Sequence, residues 1–169
     1  MSRRHQANSV VELPLLIFVA FAVLFFPLAG LATFASRAAF FYSATKSACL
    51  AASRQPSFSE ARIAALSSIA SASSAFSGLK LKDCQVSILT RALATNSVQE
   101  SFSALPADTI DTQKDFYFIR IVGTASVAPL LPVQSTFGTG LSSIPGLCRP
   151  FEYRASTELL AEHPIGLSF

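Results

Sequence analysis

This chain of 169 residues carries a net charge of only +3, and its 13 basic residues are scattered along it rather than gathered in a stripe. That pattern argues against nucleic acid as a partner, because a phosphate backbone is met by Lys and Arg collected on one face. The length suits one modest domain plus a membrane segment, and the 51% hydrophobic fraction is raised by a single N-terminal run.

A short basic leader, residues 1–7, contains Arg3 and Arg4. Soon after it, from Leu13 to Ser36, comes a run with no ionisable side chain, LPLLIFVAFAVLFFPLAGLATFAS. As a helix this run is about 36 Å long at ~1.5 Å per residue, enough to cross a hydrocarbon core of about 30 Å. A cleaved secretory signal has an apolar core of about 7–15 residues, so the greater length favours a retained transmembrane helix over residues 8–36. The competing reading takes Thr33-Phe34-Ala35 as a cleavage motif and leaves a secreted or membrane-anchored extracytoplasmic binding domain. Pro27 removes a backbone hydrogen bond and is expected to bend the helix. Arg3 and Arg4 favour a cytoplasmic N-terminus, and a long C-terminal domain translocates largely regardless of its charge.

Residues 37–54 are rich in alanine and free of glycine and proline, which predicts that the same helix continues as a stalk. Residues 55–169 form the expected extracytoplasmic domain. Ser57 and Glu60 frame a capping box, and Ile63, Leu66, Ile69 and Ala70 recur behind it at helical spacing. Residues 71–78 read as a small-residue linker. From Cys84 to Arg91 the period changes to that of a half-buried strand. The polar stretch 92–114 reads as a long loop, and Asp115 to Val127 is the strongest strand signal. Pro129 and Pro132 end it, and a Gly/Ser/Pro-rich connection, 134–146, follows. In the last strand, residues 151–157, the side chains of Phe151, Tyr153, Ala155 and Thr157 share one face. The fold class is therefore α+β: an N-terminal transmembrane helix extended into a stalk, then a small antiparallel sheet domain.

Catalytic chemistry finds no support in the residues. His5 lies in the leader and His163 near the C-terminus, and no serine sits in a G-x-S-x-G elbow. Gly138-Thr-Gly140 lacks a phosphate-loop lysine, and Asp108 and Asp111 fall in a solvated loop. The expectation is a non-enzyme with no catalytic residue, no cofactor and no metal site. Cys49, Cys84 and Cys148 match no zinc spacing and suit an oxidising compartment. A Cys84–Cys148 bridge is one arrangement, since both precede candidate strands, and three buried free thiols is the other.

Glu12 stands at the mouth of the apolar run. Ser9-Val-Val-Glu12 is itself a capping box, and a carboxylate is favoured at the positive end of a helix. In a bilayer, where a central Asp costs about 2.5–3.5 kcal/mol, a carboxylate also seeks a cationic partner. With residues 1–7 removed, the α-amine of a neighbouring processed subunit is such a partner.

The start, SRRHQANSVVELPLLIFVAF, resembles the leader and cleavage region of type IV prepilins of class 3. More narrowly it is similar to the TadE/TadG-like pseudopilins of the tight-adherence (Flp) pilus, the matching residues being Arg3, Arg4, Val11, Glu12 and Pro14. The segments ASRAAFFYSATKSACLAASR, FYFIRIVGTASVAPLLP and FEYRASTELL are similar in pattern to that family's helix exit and strands. The resemblance implies cleavage by a prepilin peptidase between Ala7 and Asn8, with Glu12 at the fifth mature position acting in assembly. This chain has Ala7 where the family has glycine before the cut. Expected partners are the membrane, other pilin or pseudopilin subunits and an inner-membrane assembly platform. The implied location is the bacterial inner membrane in a single pass. Ala20, Ala22, Ala29, Gly30 and Ala32 are small enough for close packing between such helices.

Overall fold

The computed structural model describes residues 4–129 and 149–168, and at residues 4–12, 22, 26 and 27 it describes the backbone alone. The chain is α+β, with a long N-terminal helix leading into a small four-stranded antiparallel sheet. Helix α1, Arg4–Ser53, is 50 residues long and continues without a break past Pro14 and Pro27. Several of its hydroxyl groups return to the helix's own carbonyls. Thr33 and Ser36 donate to Ala29 and Ala32, each at 2.8 Å, so these two hydroxyls at the end of the apolar run are satisfied within the helix.

Helix α2, Phe58–Ala75, runs back alongside α1. Ser57 caps its start, its Oγ accepting from the Glu60 amide at 3.3 Å. The stretch expected as a linker, 71–78, is helical as far as Ala75. Ser71, Ser73 and Ser74 each donate to the carbonyl three residues back, at 2.8–2.9 Å, which satisfies hydroxyls that would otherwise compete with the helix. The buried face of α2 also differs from expectation. Phe58, Ala61, Ala65 and Ile69 face inward, whereas Ile63 and Leu66 are exposed. The reason is contact with α1, whose Ala44, Ala48 and Ala52 are buried too. Alanine on both surfaces lets two helices approach closely.

The sheet has the order β2-β1-β3-β4, from β1 (Leu79–Ala92), β2 (Val98–Ser101), β3 (Asp115–Val127) and β4 (Phe151–Leu160). β1 is longer than its alternation from Cys84 suggests, because a register shift between Leu81 and Asp83 resets the pattern within one strand. The expected loop 92–114 holds β2 and a short 3-10 turn, Ala107–Thr109. The β1–β2 hairpin closes with Asn96 at φ 54°, a left-handed position that asparagine tolerates. In β4 Tyr153, Ala155 and Thr157 of the shared face are buried or half-buried, Phe151 is exposed, and the strand runs three residues further, to Leu160.

The core lies between the sheet and the second half of α1. Phe41, Thr45, Ala48, Cys49 and Ala52 are fully buried against Ile88, Ile119, Ile121 and Ala125. Residues 37–54 of the helix thus carry core side chains. At the far end the chain locks α1 down, since Glu162 donates its amide to the Ser53 carbonyl at 2.9 Å. The C-terminal turn, Pro164–Ser168, buries Leu167 and sets Gly166 so close to Pro56 that a side chain there would meet the Pro56 carbonyl.

Candidate functional site: the exposed apolar helix and its junction with the domain

Between Leu13 and Leu31 every large apolar side chain that the structure describes is exposed, Leu16 and Phe18 by 69%. Among the described residues this is the one helix long and apolar enough to cross a membrane. A run of exposed Leu, Ile, Val and Phe of this length is costly in water and favourable in hydrocarbon. Ala7, Asn8 and Glu12 stand in the first turns of the same helix by backbone, and their side chains lie outside the described residues. Of the small residues singled out for helix packing, Ala20 and Ala32 are exposed and Ala29 and Gly30 half-buried.

The junction is built from side chains spaced three and four apart on α1. Phe34 meets Phe151 edge-on, with centroids 5.5 Å apart, and ties the end of the apolar run to the start of β4. Phe40 stacks on Phe76 at 3.7 Å, just beyond α2. Between them Arg37, the first charge after the run, donates through Nη1 to the Ala128 carbonyl. Its guanidinium also lies against Gly78, where an added Cβ would come within 2.7 Å of Arg37 Cζ. Gly78 has φ +83°, so it serves both the left-handed turn into β1 and the close approach of the arginine. The Gly78 carbonyl accepts from the Ala128 amide at 2.7 Å, which closes the ring of contacts.

One turn further along, Phe41 fits into a notch in β3. A Cβ on Gly123 would stand 2.9 Å from Phe41 Cζ, and the neighbours of Gly123 across the strands are Cys84 and Ala155. The Phe41 ring meets Tyr153 edge-on at 6.3 Å. Sequence reasoning missed Phe34, Arg37, Phe40 and Phe41 as a group. Their spacing is visible in the chain, but the partners lie tens of residues away.

Cys49 is buried and donates to the Ile119 carbonyl at 3.2 Å. Cys84 is half-buried, and its thiol pKa is pushed up to about 11, first by burial and then by the neighbouring Asp83 carboxylate. Its expected partner Cys148 lies outside the described residues. The open face of the sheet carries a polar cluster. Ser87 donates to Glu100 at 2.6 Å, while Arg120 pairs with Glu100 at 3.5 Å and donates to Ser156 at 3.1 Å. Arg91 lies over the Phe118 ring at 5.3 Å. A cavity of about 120 Å³ between Thr112, Phe116, Leu160 and Pro164 is smaller than the ~300–1,000 Å³ of small-molecule sites. No His, Cys, Asp and Glu cluster suited to a metal occurs among the described residues. His163 is exposed beside the C-terminal turn.

A scan against protein-family models, a search of curated proteins and a search of solved structures each find no match.

Proposed function

We propose that this chain is a non-enzymatic minor pseudopilin, a pilus-assembly component of the TadE/TadG-like kind. In this reading it is anchored in the bacterial inner membrane with its N-terminus in the cytoplasm. A prepilin peptidase cuts it between Ala7 and Asn8, and Glu12 then pairs with the α-amine of a neighbouring subunit. Its partners are other pilin subunits and the inner-membrane assembly platform. The observation that carries the reading is one helix, Arg4–Ser53, in which the large apolar side chains described between Leu13 and Leu31 are exposed and whose second half packs into the core of a small sheet domain. Such a helix presents one face to lipid or sister helices while holding its head outside the bilayer.

The test is the N-terminal residue of the mature protein from its native membrane, read by intact mass. Asn8 is the expected start. A start near Ser36 replaces the reading with a secreted domain, and an uncut Met1 or Ser2 removes the processing step. In the processed protein, Glu12→Gln is expected to leave insertion intact and to impair incorporation beside neighbouring subunits. Normal incorporation overturns the pairing.

A further inference from the structure

The charges of the domain are sorted by distance from the membrane helix. α1 and β3 run in opposite directions, so the ends of the sheet nearest the apolar run are the start of β1, the end of β3 and the start of β4. That end carries Arg37, Lys80, Lys82, Arg149 and Arg154. Asp83 and Glu152 are the carboxylates there, and Glu152 is already bonded to Lys82. Residues 130–148, which join β3 to β4, add no Asp, Glu, Lys or Arg. At the opposite end the balance reverses, with Glu60, Asp108, Asp111, Asp115, Glu158 and Glu162 against Arg54, Arg62, Arg91 and Lys114. A chain of net charge +3 thus has a cationic base and an acidic tip.

The height of this base along α1 matches the headgroup layer. The apolar run rises about 36 Å, and a bilayer core of about 30 Å leaves roughly 5–7 Å of headgroups on each side. Arg37 and the turn after it therefore stand at headgroup level. Phe76 and Phe151 are 43% and 39% exposed on either side of Arg37 along α1, Phe76 stacked on Phe40 and Phe151 edge-on to Phe34. Exposed Phe beside Lys and Arg is the combination that beds at the boundary between headgroups and acyl chains. The Arg37 bond and the two ring pairs fix the base to the helix, so lipid contact needs no hinge.

We infer that the cationic base of the domain, centred on Arg37, Lys80 and Arg154, binds anionic lipid headgroups of the bilayer that α1 crosses. This rests on the membrane-helix part of the proposed function, and the bilayer is the occupant because the same rigid helix places the base against it. The exposed cations Lys80, Arg149 and Arg154, with Lys82 held by Glu152, then recruit negatively charged lipid around the helix exit.

The chain contains no tryptophan, so one introduced indole reports a single place. The full chain is reconstituted with Phe76→Trp in mixed vesicles of phosphatidylcholine and phosphatidylglycerol, and either lipid carries the brominated quencher. Relative quenching gives the local enrichment of the anionic lipid. The expected result is an enrichment of about fivefold, the effect of one cation at an anionic surface. It falls to parity when Lys80→Gln, Arg149→Gln and Arg154→Gln are combined, and at high salt. A second chain carrying Leu24→Trp, with its indole mid-helix, is quenched equally by both lipids. Parity in the Phe76→Trp chain with normal quenching in the Leu24→Trp chain overturns the lipid contact alone. Absence of quenching in the Leu24→Trp chain overturns the membrane helix and the lipid contact with it.

Discussion

Gly123→Ala tests how the long helix is joined to the sheet. The new methyl would sit 2.9 Å from Phe41 Cζ, 3.4 Å from Phe41 Cε1 and 3.5 Å from Thr45 Oγ1. Carbon atoms rest at about 3.5–4.0 Å, so the Phe41 ring has to retreat by roughly 0.5–1 Å. It has little room, being fully buried and set against Tyr153. Overpacking of this kind costs about 1–3 kcal/mol, while alanine regains roughly 0.5–1 kcal/mol over glycine in a strand. The expected net loss is about 0.5–2 kcal/mol. Urea unfolding of the full chain in detergent, followed by circular dichroism, measures it. The decisive comparison repeats the substitution in a Phe41→Ala background, which alone costs about 3–5 kcal/mol. Without the ring, Gly123→Ala is neutral or stabilising, which gives a coupling of about 1–3 kcal/mol between the positions. An equal cost in both backgrounds refutes the notch and assigns the effect to the strand backbone.

Arg37→Met keeps the length of the side chain and removes its bond to the Ala128 carbonyl, a charge-assisted contact worth about 1.5–3 kcal/mol. Amide exchange should quicken at Gly78, Leu79 and Ala128 and stay slow at Ile119 and Ile121; uniform quickening would mean that Arg37 supports the whole domain. Stability should fall on the alkaline side. Cys84 is raised to about 11 in the fold, against about 8.5 unfolded, so its contribution is complete below the unfolded value and lost as pH rises through the folded one. Tyr117, raised chiefly by burial, acts in the same sense at higher pH. Urea midpoints between neutral pH and pH ~11 check this, and Cys84→Ser should flatten the earlier part of the decline; an unchanged slope would remove Cys84 as its source.

The elements that can be read from the chain are those whose signal is local. Asp115–Val127 is legible to the residue because β-branched and aromatic side chains fill it and Pro129 stops it. Ser57 is legible as a cap because its Oγ needs an amide only three residues on. The inner face of α2 departs from its pattern for a physical reason. Hydrophobic strength points to Ile63 and Leu66, but the contact with α1 is decided by what is small, Ala61 and Ala65. β2 is hidden because its four residues, Val98–Ser101, are largely polar on an edge and pair only with β1. At the junction, the apolar run and Arg37 are legible, but not the role of Arg37. Its acceptor lies 91 residues away, at Ala128, and becomes a partner only once β1 and β3 are paired.

One helix is apolar and exposed in one stretch and core-forming in the next, and the change is made without a joint. From Leu13 to Leu31 the large apolar side chains among the described residues are exposed; from Ala38 its inward residues belong to a core. The segment from Arg37 to Ser53, about 24 Å at ~1.5 Å per residue, is held at both ends. The Ala128 carbonyl takes Arg37 at one end, and the Glu162 amide holds the Ser53 carbonyl at the other. Between these points Phe41 is keyed into Gly123, and Cys49 bonds to β3. A displacement of the membrane half along its axis therefore cannot be absorbed by unwinding a linker. It has to move the sheet as well or break the Phe41 key. In an assembly of the proposed kind, built from packed membrane helices, the position of the helix in the bundle would then dictate the position of the head.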